Sequence, residues 1–221
     1  MAATKTGAAV RKKAAAKRRS RQADQARQDI LNAAAKTFAE RGYREARVQD
    51  IADRAGYTAG ALYTYFKSKD ELFDALAESV SKEITAAVQA PAPGADFATR
   101  LEHFVREAFS VLERHHHAVV YFMRLDSEGG PQARRARVRD VDFVTAIGEW
   151  LNVHAEDADF PGFSRRESAT LIWATMTGVV RVWAVHGTTA SPLELVPAVV
   201  RFILHGFQGK PATRRRPRGG T

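Results

Sequence analysis

The stretch Arg47 to Leu72, RVQDIADRAGYTAGALYTYFKSKDEL, decides how the chain folds. Val48, Ile51, Ala52 and Ala55 recur at i, i+3, i+4 and i+7, the apolar stripe of a short helix, and Gly56 closes it. A second short helix is predicted to begin at Thr58, whose hydroxyl can accept from a backbone N–H two or three residues on. It packs inward through Leu62 and Phe66. Lys67 to Glu71 forms a polar turn, with Ser68 or Asp70 near the cap of a longer helix striped by Leu72, Phe73, Leu76, Val80, Ile84 and Val88. Upstream, Ile30, Ala34 and Phe38 share one face of a helix that stops near Gly42, a residue suited to a left-handed cap. Two short helices joined by a tight glycine turn over the floor of a third describe a helix-turn-helix arrangement.

Spacing alone does not separate this from any three-helix domain; the residue types do more. No acid occurs from Arg54 to Ser68, and Thr58 to Phe66 carries no charge of either sign. Small residues at an exposed helix end let the backbone approach the floor of a major groove. Tyr63, Thr64 and Tyr65 offer hydroxyls to phosphate oxygens or base edges. The positive end of the helix dipole favours a phosphate there as well. The plainer alternative is that Tyr63 and Tyr65 half-bury their rings on a polar surface.

The run Ile-Ala-x-x-Ala-Gly, then Thr-x-Gly-x-x-Tyr-x-x-Phe, then Lys-x-Lys-x-x-Leu resembles the DNA-binding module of the TetR family of bacterial one-component transcriptional regulators. Ile30 to Tyr43, with Ala34, Phe38, Gly42 and Tyr43, is similar to that family's first helix, so the resemblance covers about residues 25 to 75. It implies that Thr58, Tyr63, Tyr65 and Lys69 hold DNA phosphates and that Gln49, Ala59, Gly60, Ala61 and Thr64 face bases. Gln49 suits a bidentate pair with adenine, and the methyls of Ala59, Ala61 and Thr64 suit a thymine methyl. Three departures from the pattern matter. Ala46 and Arg47 stand where two threonines are common, which removes the usual cap with Asp50 and makes Arg47 a candidate phosphate contact. Tyr57 is larger than is usual in the turn, and Tyr65 replaces a frequent histidine, so no operator sequence carries over.

The helical period continues past the break at Pro91-Ala92-Pro93-Gly94, and nothing alternates as a strand should. Five further helices are predicted, at about Phe97 to Arg114, Ala118 to Ser127, Gln132 to His154, Arg165 to His186 and Leu193 to Phe207. The fold expected is all-α with about nine helices: a helix-turn-helix domain at 22–70 and a ligand-binding and dimerisation domain at 71–207. The ends differ in kind. Eight cations and no acid fall within residues 1–21, and five cations and no acid within 208–221, so the body between them holds −4 of the chain's net +9. Both ends are poor in large apolar residues and are expected to be disordered basic arms that follow polyanions.

Absences narrow the function. The chain has no cysteine, which excludes disulfide scaffolds, thiolate zinc sites and cysteine nucleophiles. No serine nucleophile motif or glycine-rich phosphate loop occurs, so nothing supports an enzyme. His115, His116 and His117 are consecutive; on a helix they point about 100 degrees apart and cannot all ligate one ion, so no metal is expected. The run Ala169 to Val180 is short of the ~20 apolar residues that span a bilayer, and no secretory signal precedes it, so a cytoplasmic protein without a membrane partner is expected.

Phe104, Tyr121, Phe122, Phe143, Trp150 and Trp173 are candidate walls of a cavity, which the resemblance places among the middle helices. No cofactor is implied; an apolar or amphipathic small-molecule effector is. The last two helices are apolar on nearly all sides, more than one face can bury. Trp173, Gly178, Val182, Val199 and Phe202 are therefore candidate contacts of a homodimer, the resemblance placing the interface on this helix pair.

Overall fold

The computed structural model describes residues 3–91, 93, 94, 96–128, 130–187 and 191–208. Nine α-helices follow one another, with no strand among the described residues: α1 (Ala3–Glu45), α2 (Val48–Ala55), α3 (Ala59–Tyr65), α4 (Lys69–Gln89), α5 (Phe97–Arg114), α6 (His116–Glu128), α7 (Gly130–His154), α8 (Arg165–Arg181) and α9 (Val196–Gln208). A π turn, Val182–His186, extends α8, and a 3-10 turn, Pro192–Leu195, leads into α9. The chain divides into two compact units, Met1–Lys82 with His115–Phe122, and Glu83–Arg114 with Met123–Thr221. The first unit thus reaches beyond residue 70 and recruits a piece of α6 that local sequence period gives no reason to assign there.

The ends of the short helices are set by local chemistry. Gly42 takes φ 73 and ψ 171, a conformation open essentially to glycine alone, and breaks α1 where the cap was expected. Gly56 is left-handed at φ 78 and ψ 24, ends α2 and donates its N–H to Ala52 and Asp53 carbonyls. Ser68 Oγ accepts from the Glu71 N–H at 3.1 Å while the Glu71 carboxylate accepts from the Lys67 N–H at 2.7 Å, so Ser68 is the cap of α4. Ser164 and Glu167 make a full capping box on α8.

The first unit has an aliphatic and an aromatic core. Ile30, Ala34, Ile51, Leu62 and Phe66 are fully buried, so α1, α2 and α3 share one apolar floor. Phe38, Tyr43, Phe73 and Tyr121 form a ring cluster with centroids 5.4 to 6.5 Å apart. Each fully buried Phe or Leu contributes roughly 1.5–3 kcal/mol. In the second unit Phe97, Leu101, Phe104, Val105 and Phe109 line the inner face of α5.

One expectation is corrected. Residues 1–21 were expected to be disordered, but from Ala3 onward they are the start of α1. Alanine, lysine and arginine are strong helix formers, and a helix closes its hydrogen bonds locally, so it extends without burying large side chains. Arg165–His186 is one 22-residue helical stretch, with the bounds expected, and by length and composition alone it is long and apolar enough to cross a membrane. It packs on α7 and α9. The basic tail at 208–221 lies outside the described residues apart from Gln208.

Candidate nucleic-acid interface

The exposed face of the first unit gathers most of the sequence-predicted contacts. Thr58 is the extended N-cap of α3; its Oγ1 accepts from the Ala61 N–H at 3.1 Å, as expected. Leu62 and Phe66 point into the core, which turns Gly60, Tyr63 and Thr64 outward, Tyr63 being 50% exposed. Ala59, Ala61 and Tyr65 are half-buried on the flanks. A Cβ at Gly60 would meet nothing closer than Thr58 Oγ1 at 3.9 Å, so the absent side chain leaves the front of α3 open rather than relieving an internal clash. On α2, Gln49 is exposed and its amide donates to Asp53 at 2.6 Å. Arg47 is exposed and extended at the N-cap of α2, and its side chain makes no cap bond.

Lys69 stands apart from this surface. Its ammonium donates to the carbonyls of Tyr43 (2.7 Å), Arg44 (3.2 Å) and Ala46 (3.0 Å) and sits 4.5 Å over the Tyr43 ring. All three ammonium protons have carbonyl partners, so Lys69 ties the start of α4 to the turn between α1 and α2. A family position points to a phosphate; the conformation here shows a clamp. No sequence signal distinguishes the two, because the carbonyls come from residues whose side chains are irrelevant to the bond.

Ion pairs brace α2 from behind. Arg54 grips Glu40 through two bonds of 2.6 and 2.7 Å, and Arg41 bonds Asp50, the acid left without a threonine cap. The Arg54 hydrogen bond holds the Glu40 carboxyl below its ordinary range. Arg27 lies 4.4 Å over the Phe66 ring and donates to the Tyr65 carbonyl at 3.4 Å, fixing the C-terminal end of α3. His117 belongs to this unit too, and burial, then His116 and Lys36, push its imidazole below the ordinary value.

Of the cavity candidates, Phe104, Phe143 and Trp173 line a cavity of about 50 Å³ within the second unit. Phe143 and Trp173 are stacked with centroids 4.9 Å apart. Tyr121 and Phe122 do not join them: they belong to the first unit's ring cluster, because α6 gives its first turns to that core. Trp150 is buried against Phe104 at 4.6 Å and lies behind the wall. Met123, Met176, Thr85 and Thr177, absent from the predicted set, also line the cavity. Their types are too common in cores for a sequence to single them out.

The dimer candidates divide likewise. Gly178, Val182 (43% exposed) and Phe202 (67% exposed) lie on the surface, joined by Leu171 (45% exposed). Trp173 instead faces the cavity, and Val199 is buried in the monomer at 5% exposure. A helix apolar all round has both an inner and an outer stripe, and composition cannot say which residue falls on which.

A cap, a glycine turn and an exposed, acid-free second helix over a shared apolar floor define a helix-turn-helix protein. Residues 30–76 match the sequence profile of bacterial regulatory proteins of the tetR family. It is 33% identical over 120 residues to the HTH-type transcriptional repressor KstR2 of Mycobacterium tuberculosis, covering 54% of this chain and 60% of that one. It is 28% identical over 193 residues to the HTH-type transcriptional activator FasR of Mycolicibacterium smegmatis, covering 86% and 87%. The fatty acid degradation regulator FadR from Bacillus halodurans shares the fold with a TM-score of 0.71 at 24% identity, over 81% of this chain and 98% of that one. The chain thus spans about 60% of the length of the repressor it matches.

Proposed function

We propose that the protein is a ligand-responsive transcriptional repressor that binds a pseudo-palindromic operator as a homodimer. The observation that carries the reading is the outward face of α3, where Gly60, Tyr63 and Thr64 are exposed on a helix that carries no acid while Leu62 and Phe66 anchor it. Two such helices related by a two-fold axis enter successive major grooves. The exposed stripe of Leu171, Gly178, Val182 and Phe202 supplies a self-complementary apolar surface for the second copy. The lined cavity supplies a place for an apolar or amphipathic effector, which releases DNA by binding more tightly to the state that does not hold it.

Footprinting the purified protein on genomic DNA, then measuring affinity for the protected site, tests this. Tyr63→Ala is expected to weaken operator binding about tenfold, as loss of a good backbone contact does, with helicity unchanged. Equal affinity of a folded Tyr63→Ala for operator would refute the assignment of α3. FasR is named an activator and aligns along most of this chain, so activation is the second reading. A reporter fused to the protected promoter separates them: expression rises on deleting a repressor and falls on deleting an activator.

A further inference from the structure

One hydroxyl in the second unit lacks what its neighbours have. Thr145, Thr170 and Thr175 each donate to the carbonyl four residues back, at 2.8 to 2.9 Å, the partner always available to a threonine on a helix. Thr177 lies two residues after Thr175 on the same helix, yet its Oγ1 is buried and has no hydrogen-bond partner among the described residues. A buried hydroxyl left unsatisfied is destabilising, and such groups in native structures call for a partner. Thr177 lines the cavity that Phe104, Phe143 and Trp173 line.

The rest of that lining is equally selective. Apart from Thr177 and Thr85, its side chains are aliphatic, aromatic or thioether, and none is ionisable. A carboxylate or ammonium taken inside would lose its hydration with no counter-charge to replace it. At about 50 Å³ the cavity is narrower than the 300–1,000 Å³ typical of ligand pockets, so an occupant has to displace side chains. Met123 and Met176 are the lining residues best able to do so, being unbranched and flexible. A slender chain asks less of them than a broad ring system.

Resting on the effector reading above, we propose that the cavity receives an elongated apolar molecule whose buried part is uncharged and carries one hydrogen-bonding oxygen, a hydroxyl or an ester-type carbonyl, paired to Thr177. The hydroxyl both donates and accepts, so it suits either group. Carboxylate, phosphate and ammonium groups stay outside.

The test uses four probes of one chain length: 1-dodecanol, methyl dodecanoate, dodecanoate and dodecylammonium. Binding to the full chain is read from Trp173 fluorescence, since Trp173 stacks on Phe143 in the wall, with Trp173→Phe as the assignment control. The two neutral probes are expected to bind. At pH 7.5 dodecanoate should bind about a hundredfold more weakly and approach the alcohol as the pH falls towards 5, where its carboxyl protonates. Thr177→Val keeps the shape and removes the hydroxyl; it should weaken dodecanol about three- to tenfold, with Thr177→Ser restoring binding. Dodecanoate binding as tightly as dodecanol at pH 7.5, no binding by either neutral probe, or a Thr177→Val protein with undiminished affinity would each overturn the proposal. Operator binding is measured separately. Specific DNA binding without probe binding sinks this inference alone, and probe binding without any DNA preference sinks the regulator reading alone.

Discussion

Lys69 shows how one residue changes its meaning between sequence and structure. At a position where the family implies a phosphate contact, it holds three carbonyls at the turn between α1 and α2. Lys69→Met, which keeps the stem and drops the donors, is expected to destabilise the first unit by about 1–3 kcal/mol, measured by urea unfolding. A neutral effect on stability with lost operator affinity would return Lys69 to the phosphate role. His117 makes a second case. Burial disfavours its imidazolium, so below the ordinary value of about 6.5 the unfolded chain binds more protons than the folded one. Stability should therefore fall as the pH drops through that range. His117→Gln should flatten the decline in Tm between about pH 7 and pH 5.5 without removing it, since burial and Arg100 depress His154 in the same sense. Glu40 adds its loss further down, as its lowered carboxyl is protonated below its ordinary value and releases Arg54.

Among elements, the start of α1 is the one whose behaviour the structure redefines. Residues 13–25 are exposed throughout, Ala26 is the first buried side chain among those described, and no acid lies in the first turn of the helix. Cations near the positive end of a helix oppose its dipole, so an anionic partner should stabilise this segment. Lys13, Lys17 and Arg21 fall on one face at intervals of four, fit to follow a phosphate backbone. Using about three such cations adds roughly −3 to the slope of log affinity against log salt. Deleting residues 2–21 is expected to flatten the slope by that amount and weaken operator and random DNA alike. An unchanged salt slope would show the segment to be a bystander, and a lost preference for operator would show that it reads sequence.

For the molecule as a whole, assembly is the property most open to test. Leu171, Val182 and Phe202 are large apolar side chains left outside, on helices whose inner stripes are already packed. Val182→Glu with Phe202→Glu should leave each subunit folded and yield monomers by sedimentation at micromolar concentration. Operator affinity should fall with dimerisation, because one half-site supplies only half the contacts. A wild-type protein that sediments as a monomer would refute the homodimer. Val199 is not a place for this experiment: it is buried in the subunit, and a charge there would unfold the bundle instead of separating copies.

Apolar period, capping residues and turn glycines are local, and they were enough to place α2, α3 and α5 and the breaks at Gly42, Gly56 and Pro91. The all-helical class and the outward face of α3 followed, because a seven-residue helix anchored by Leu62 and Phe66 has only one other side to show. What the residues alone left open depends on partners distant in the chain. Whether Lys69 meets a phosphate or three carbonyls is decided by where the turn after α1 lies. Tyr121 and Phe122 packed with Phe38 and Phe73 and left the cavity to Phe104, Phe143 and Trp173, although all are aromatics on helices. On α8 and α9, apolar all round, only tertiary packing sorted Val199 and Trp173 inward and Val182 and Phe202 outward. Hydrophobicity drives burial without direction; which of two apolar stripes meets the core is settled by the shape of what it packs against.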